Sequence, residues 1–98
     1  MKILISSAME MVLEELALAM KKYPTWPTDP IHAAAIVQEE CGELIQACID
    51  KVFPDLNNKG DNASKRAFKE AIQTAAMALR FIVNWPYEDM IAVRRKED

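Results

Sequence analysis

Histidine occurs once in this chain of 98 residues, and glycine and cysteine twice each. Each scarcity excludes something. With two glycines and little β-branched alternation there is no material for tight hairpins, so the chain reads as helical throughout. A lone histidine, His32, cannot supply the Glu-x-x-His repeats of a di-iron bundle, the ligands of a zinc site or a His-Asp phosphohydrolase centre. Cys41 and Cys48 are seven residues apart. On one helix they share a face two turns apart, too far for a bridge, and they are expected as reduced core residues of a cytoplasmic protein. Basic charge is not in excess: the net charge is −3 and the isoelectric point is near 5.1. That argues against a nucleic-acid partner. Apolar runs such as LALAM are far too short to span a bilayer, and Glu10, Glu14 and Glu15 interrupt the N-terminal segment. Neither a membrane partner nor a secretory leader is expected.

What is present is apolar material at helical spacing. Hydrophobic residues make up 51% of the chain. A single domain of this length buries only roughly 60–65% of the surface of its unfolded form, so part of the core is expected from pairing with another copy. Ser7 with Glu10 predicts a capping box, followed by a helix to about Lys22. Its stripe of Met9, Val12, Leu13, Leu16 and Met20 is widened by Ala17, Leu18 and Ala19, which suggests burial on two sides. The segment YPTWPTDP ends that helix. Asp29 caps a second helix with Pro30 at its first position, running from Ile31 to about Phe53, where Pro54 stops it. PDLNNKGDNA is a polar turn, and a third helix runs from Asn62 or Ser64 to about Asn84. Pro86 ends it or opens a short C-terminal helix over PYEDMIAV, before the charged tail RRKED, which is expected to fray. The order predicts an all-α, four-helix antiparallel bundle.

The second helix carries two stripes. Ala34, Val37, Cys41, Leu44, Cys48 and Val52 form the apolar one. Rotated by about 100°, Ile36, Glu40, Glu43, Ala47 and Asp50 form another, with carboxylates at its middle. Gly42 beside them suggests the close approach of a neighbour. The third helix repeats the design. Phe68, Ile72, Ala75, Leu79 and Ile82 are apolar, and Arg66, Glu70, Gln73, Met77, Arg80 and Asn84 lie beside them. In an antiparallel hairpin Glu40 and Glu43 face Glu70 and Gln73. Facing carboxylates repel one another and resist burial, and a divalent cation compensates them. Oxygen-only ligands select a hard ion, Mg²⁺ or Mn²⁺, which keeps coordination positions for substrate phosphates. The alternative is a solvated acidic face.

At these residues the chain resembles the MazG-like all-α nucleoside triphosphate pyrophosphohydrolases. Their hallmark is EExxE followed, some twenty-odd residues on, by ExxD. Here Glu39-Glu40-Cys41-Gly42-Glu43 lies within VQEECGELIQA, and Glu70-Ala71-Ile72-Gln73 within FKEAIQTAAMALR. The resemblance covers about residues 31–84, with Gln73 where the family has Asp. It implies Mg²⁺ (or Mn²⁺) held by Glu40, Glu43 and Glu70, with the neutral oxygen of Gln73 as a further contact. It implies Glu39 as a supporting acid, Glu39 or Glu43 as the group that deprotonates the attacking water, and assembly as a homodimer or homotetramer. The implied reaction is hydrolysis of the α–β phosphate bond of a (deoxy)nucleoside triphosphate to the monophosphate and pyrophosphate. One alternative is a catalytically weak or inactive nucleotide-binding or interaction module. Another is a related hydrolase of other pyrophosphate-linked metabolites.

Several residues around the acids are candidates for substrate binding. Arg80 follows the acidic stripe and is the best candidate for a phosphate contact. Arg66 and Lys69 are further candidates, with a surface ion pair as the competing role. Trp26 either stacks on a base or plugs the core, and His32 either meets the nucleotide or faces solvent. Trp85 reads as packing.

Overall fold

The computed structural model describes residues 2–86. It is all-helical over that span, with α1 (Ile5–Lys22), α2 (Pro30–Val52) and α3 (Ala63–Val83). The short C-terminal helix expected after Pro86, and the charged tail, lie outside the described residues. No described helix is long and apolar enough to cross a membrane.

The proline-rich loop sets the start of α2 as its chemistry demands. Pro30 occupies the first helical position and the Asp29 carboxylate accepts from the Ile31 N–H at 3.0 Å. At the other end Phe53 closes the last turn onto Ile49, and Pro54 follows. The capping box of α1 does not form. Leu4, not Ser7, has the extended dihedrals of a capping residue, and its carbonyl accepts the first helical bond, from Ala8. Ser7 therefore sits inside the first turn. Asn62 precedes α3 in a left-handed conformation, with φ of 61°, which asparagine tolerates better than most residues.

The two glycines differ, and Gly42 departs from the expectation. A Cβ at Gly42 would meet nothing within 4 Å, so no neighbour within the chain approaches it. A Cβ at Gly60 would lie 2.3 Å from Pro54 Cβ. Glycine is required at position 60 because the turn folds back against the proline that ends α2.

Helix α3 is central, contacting both α1 and α2, whereas α1 and α2 do not contact each other closely. Asp50 pairs with Arg66 near one end of the α2–α3 hairpin, so these helices run antiparallel. Contacts of Glu15 with Gln73 and of Tyr23 with Arg80 show α1 running parallel to α3. Among the described residues the fully buried apolar side chains are all alanines: Ala33, Ala47, Ala63 and Ala76. Both α2 stripes are partly covered: Val37, Cys41 and Leu44 of the apolar one are half-buried, and the deepest positions belong to the acidic one. Glu40 is half-buried, and Ala47 and Asp50 are buried. Of the apolar stripe, Ala34, Cys48 and Val52 are exposed. Cys48 is therefore not a core residue, while Cys41 is half-buried, and both thiols are free. On α3, Phe68 and Ile82 are 51% and 65% exposed. Among the described residues many large apolar side chains are thus left exposed and none is fully buried.

Candidate metal centre

Position on the hairpin brings three carboxylates together. Glu40 and Glu43 lie one turn apart on α2, and Glu70 faces them from α3. One oxygen from each falls within 4.8 Å of the others. Glu40 and Glu70 are half-buried and Glu43 is exposed, so the group opens to solvent on one side. Burial, then the carboxylates of Glu70 and Glu43, push the Glu40 pKa from 4.5 up to about 7. Burial also raises Glu70, against the pull of the Glu40 hydrogen bond and the Lys69 charge. The Glu70 carbonyl is occupied separately, accepting from Thr74 Oγ1 at 2.7 Å. Oxygen-only donors at this separation suit a hard divalent cation, and the raised pKa marks the charge such an ion would neutralise.

Gln73 adjoins the group and its amide fits in two ways. In one, Nε2 donates to Glu15 Oε1 at 3.5 Å and the carbonyl oxygen faces acceptors alone, which leaves it unsatisfied without a cation or proton. Turned over, the nitrogen donates to Glu70 Oε2 at 3.0 Å and Glu40 Oε2 at 3.2 Å. Glu15 was not legible as part of this neighbourhood. Its signal was present, since it lies one turn from both Met11 and Ala19 on the half-buried face of α1, an acid set in an apolar stripe.

Glu39 is exposed and outside the group of three converging oxygens. Lys69 is exposed, with its charge acting on Glu70. Arg80 is 4% exposed, and its Nη2 donates to the carbonyls of Tyr23 and Thr25. Its guanidinium carbon lies 5.0 Å from the centre of the Trp26 ring. The guanidinium thereby fastens the proline-rich loop to α3. Arg80 Nε has no partner among the described residues. Arg66 is held at the far end of the hairpin, with Nη1 2.9 Å from Asp50 Oδ2 and Nη2 donating to the Lys59 carbonyl. Trp85 stacks on Phe81 with centroids 5.3 Å apart.

Beside the acids is a cavity of about 410 Å³ walled by Trp26, His32, Ile36, Met77 and Arg80, among others. Ile36 is one turn before Glu40 and Met77 one turn after Gln73, so the cavity is roughly 5 Å along the hairpin from the carboxylates. The structure therefore brings Trp26, His32 and Arg80 to one cavity, and Glu40, Glu43, Glu70 and Gln73 to the neighbouring position. Models of known families, curated proteins and solved structures were compared with the chain, and none matches it.

Proposed function

We propose that this chain is a divalent-cation-dependent pyrophosphohydrolase of the MazG-like type, acting on a (deoxy)nucleoside triphosphate. The observation that carries the proposal is the convergence of Glu40, Glu43 and Glu70 to within 4.8 Å, with Glu40 pushed up to about 7. Three acids aligned on two packed helices, with only the exposed Lys69 acting on them among the described residues, repel one another unless a proton or an ion joins them.

In this reading Glu40, Glu43 and Glu70 hold Mg²⁺ or Mn²⁺. When bound, the ion supplies charge neutralisation for the phosphates and acidifies the attacking water. Glu43, on the open side, or Glu39 beside it, takes the proton from that water. Trp26 offers its ring to the base in the adjoining cavity, with His32 at the wall. Arg80 orders the loop that carries Trp26, and Lys69 lends positive charge at the rim. The α–β phosphate bond is cleaved, giving the monophosphate and pyrophosphate. The cellular setting is cytoplasmic, where free thiols persist.

The reading includes a homo-oligomer, dimer or tetramer, in which the described helices complete a four-helix bundle. Support comes from the open apolar side of α2, where Ile45 is 56% and Val52 67% exposed, and from the finding that the fully buried apolar side chains among the described residues are alanines. Sedimentation of the full chain should give a species of at least two copies, and Ile45→Glu should dissociate it.

Calorimetric titration with Mg²⁺, combined with a nucleotide panel scored by pyrophosphate release, tests the activity. Cation-dependent release is expected. Binding without release favours the second reading, an inactive nucleotide-binding module, which the missing charge at Gln73 supports. Failure to bind either cation or nucleotide favours an interaction module built on the exposed apolar faces.

A further inference from the structure

We infer that Glu15 of α1 is a positioning residue that turns the Gln73 amide so that its carbonyl oxygen faces the carboxylates, making a neutral side chain serve as an oxygen donor. This rests on the cation site proposed above and extends it to a helix that supplies no direct ligand. The amide has two exclusive placements. With nitrogen inward it bridges Glu70 and Glu40 at 3.0 and 3.2 Å, an arrangement that satisfies facing carboxylates when no ion is bound. With oxygen inward it adds a further acceptor to the three already converging, an arrangement that needs a cation, or failing that a proton, among them. The second placement turns the amide nitrogen outward, and there Glu15 Oε1 stands 3.5 Å away to receive it. Glu15 is half-buried on the face of α1 that meets α3, so its carboxylate is held near that point. Cation binding and the turn of one amide are thus linked through a group on the third helix, much as an outer hydrogen bond fixes the orientation of a metal ligand.

The test uses the full chain and Mn²⁺ alone, with free ion counted by electron paramagnetic resonance. Glu15→Ala should weaken Mn²⁺ binding roughly three- to tenfold, the worth of one side-chain hydrogen bond. Glu15→Gln keeps an acceptor oxygen and should stay within about twofold of the parent. In a Gln73→Ala background, Glu15→Ala should cause no further loss. In parallel, the Gln73 side-chain amide resonances should move on titration with Mg²⁺ in the parent and much less in Glu15→Ala. Equal weakening by Glu15→Gln and Glu15→Ala would mean that only the charge of Glu15 matters and would overturn the inference. So would an undiminished effect of Glu15→Ala in the Gln73→Ala background. If the parent binds Mn²⁺ and Glu15→Ala is unchanged, this inference alone fails. If the parent does not bind Mn²⁺, the cation site itself fails and takes the inference with it.

Discussion

The inner stripe of α2 places carboxylates at two stations, and the chain treats them in opposite ways. At the end of the hairpin Asp50 is buried, yet it has Arg66 at 2.9 Å and Gln46 at 3.0 Å. These hold its pKa below the usual carboxylate value. Ten residues earlier Glu40 meets two more carboxylates, and its pKa is raised. The comparison teaches that this fold can supply a guanidinium to an inward acid, and does so where the acid is structural. At the middle station no ion pair meets the acids among the described residues, and only the exposed Lys69 acts on Glu70.

Neutralising each station should sharpen the contrast most. Glu40→Gln is expected to lower Mg²⁺ affinity by roughly a hundredfold or more and to abolish pyrophosphate release, since removing one charged ligand of three removes much of the site. In chelator at pH 8 the same variant should melt higher than the parent, because a repelling charge is gone. Asp50→Asn should do the reverse, lowering Tm by roughly 5–10 °C and leaving Mg²⁺ affinity within about twofold. Calorimetric titration and thermal melts of the two variants read both effects. If both substitutions destabilise, the stations are alike and the distinction fails.

Acidity should separate the stations next. Glu40 binds its proton more tightly in the folded chain than its ordinary 4.5, up to about 7. Between those values the native state holds more protons, so its contribution to stability declines as pH rises through that window. Cation affinity should therefore climb by about tenfold per pH unit below 7 and level off above it, because the proton must leave before the ion enters. Asp50 has the opposite sign. Its contribution is present above the unfolded value of 3.8 and is lost as pH falls through its depressed folded value. Melting curves between pH 4 and 9, with Mg²⁺ and with chelator, should show the Glu40 slope only in chelator.

Gln73→Asp should add charge to the already uncompensated station. Roughly tenfold tighter Mg²⁺ binding, together with a lower Tm in chelator, is expected from one more carboxylate facing Glu40 and Glu70. Unchanged affinity in a titration would show that the side chain does not address the ion.

The glycines give the smallest effect. Gly42→Ala should stabilise by about 0.5–1 kcal/mol, since nothing lies within 4 Å of the added methyl. Gly60→Ala should destabilise through its collision with Pro54. Denaturant melts distinguish the two. A loss of stability at Gly42→Ala, accompanied by dissociation, would place a second copy against that surface.

Much of this was legible in the residues themselves. Asp29-Pro30 and Pro54 bracket α2 because they act on the local backbone, which sequence records directly. The pairing of Glu40 and Glu43 with Glu70 follows from helical periodicity and a short connection. Which stripe turns inward did not follow. Ala34, Cys48 and Val52 are exposed while Val37, Cys41 and Leu44 are half-buried and Asp50 is buried, because burial depends on what a face meets, and among the described residues α2 packs on α3 alone. The Ser7 cap failed for a related reason: the motif permits a helix start but does not forbid an earlier one at Ile5. The place of Glu15 is not written in local sequence, because its partner is 58 residues away on a parallel helix.

The four inward alanines also fix a dimension. With only methyl groups at Ala33, Ala47, Ala63 and Ala76, α2 and α3 can settle at the close end of helix spacing. The gap spanned by the carboxylates is then gauged by backbone proximity, which flexible glutamates cannot easily alter. A wider side chain at Ala47 or Ala76 would act as a shim, opening the distance between Glu70 and the α2 acids of the proposed cation site without touching a single one of their oxygens.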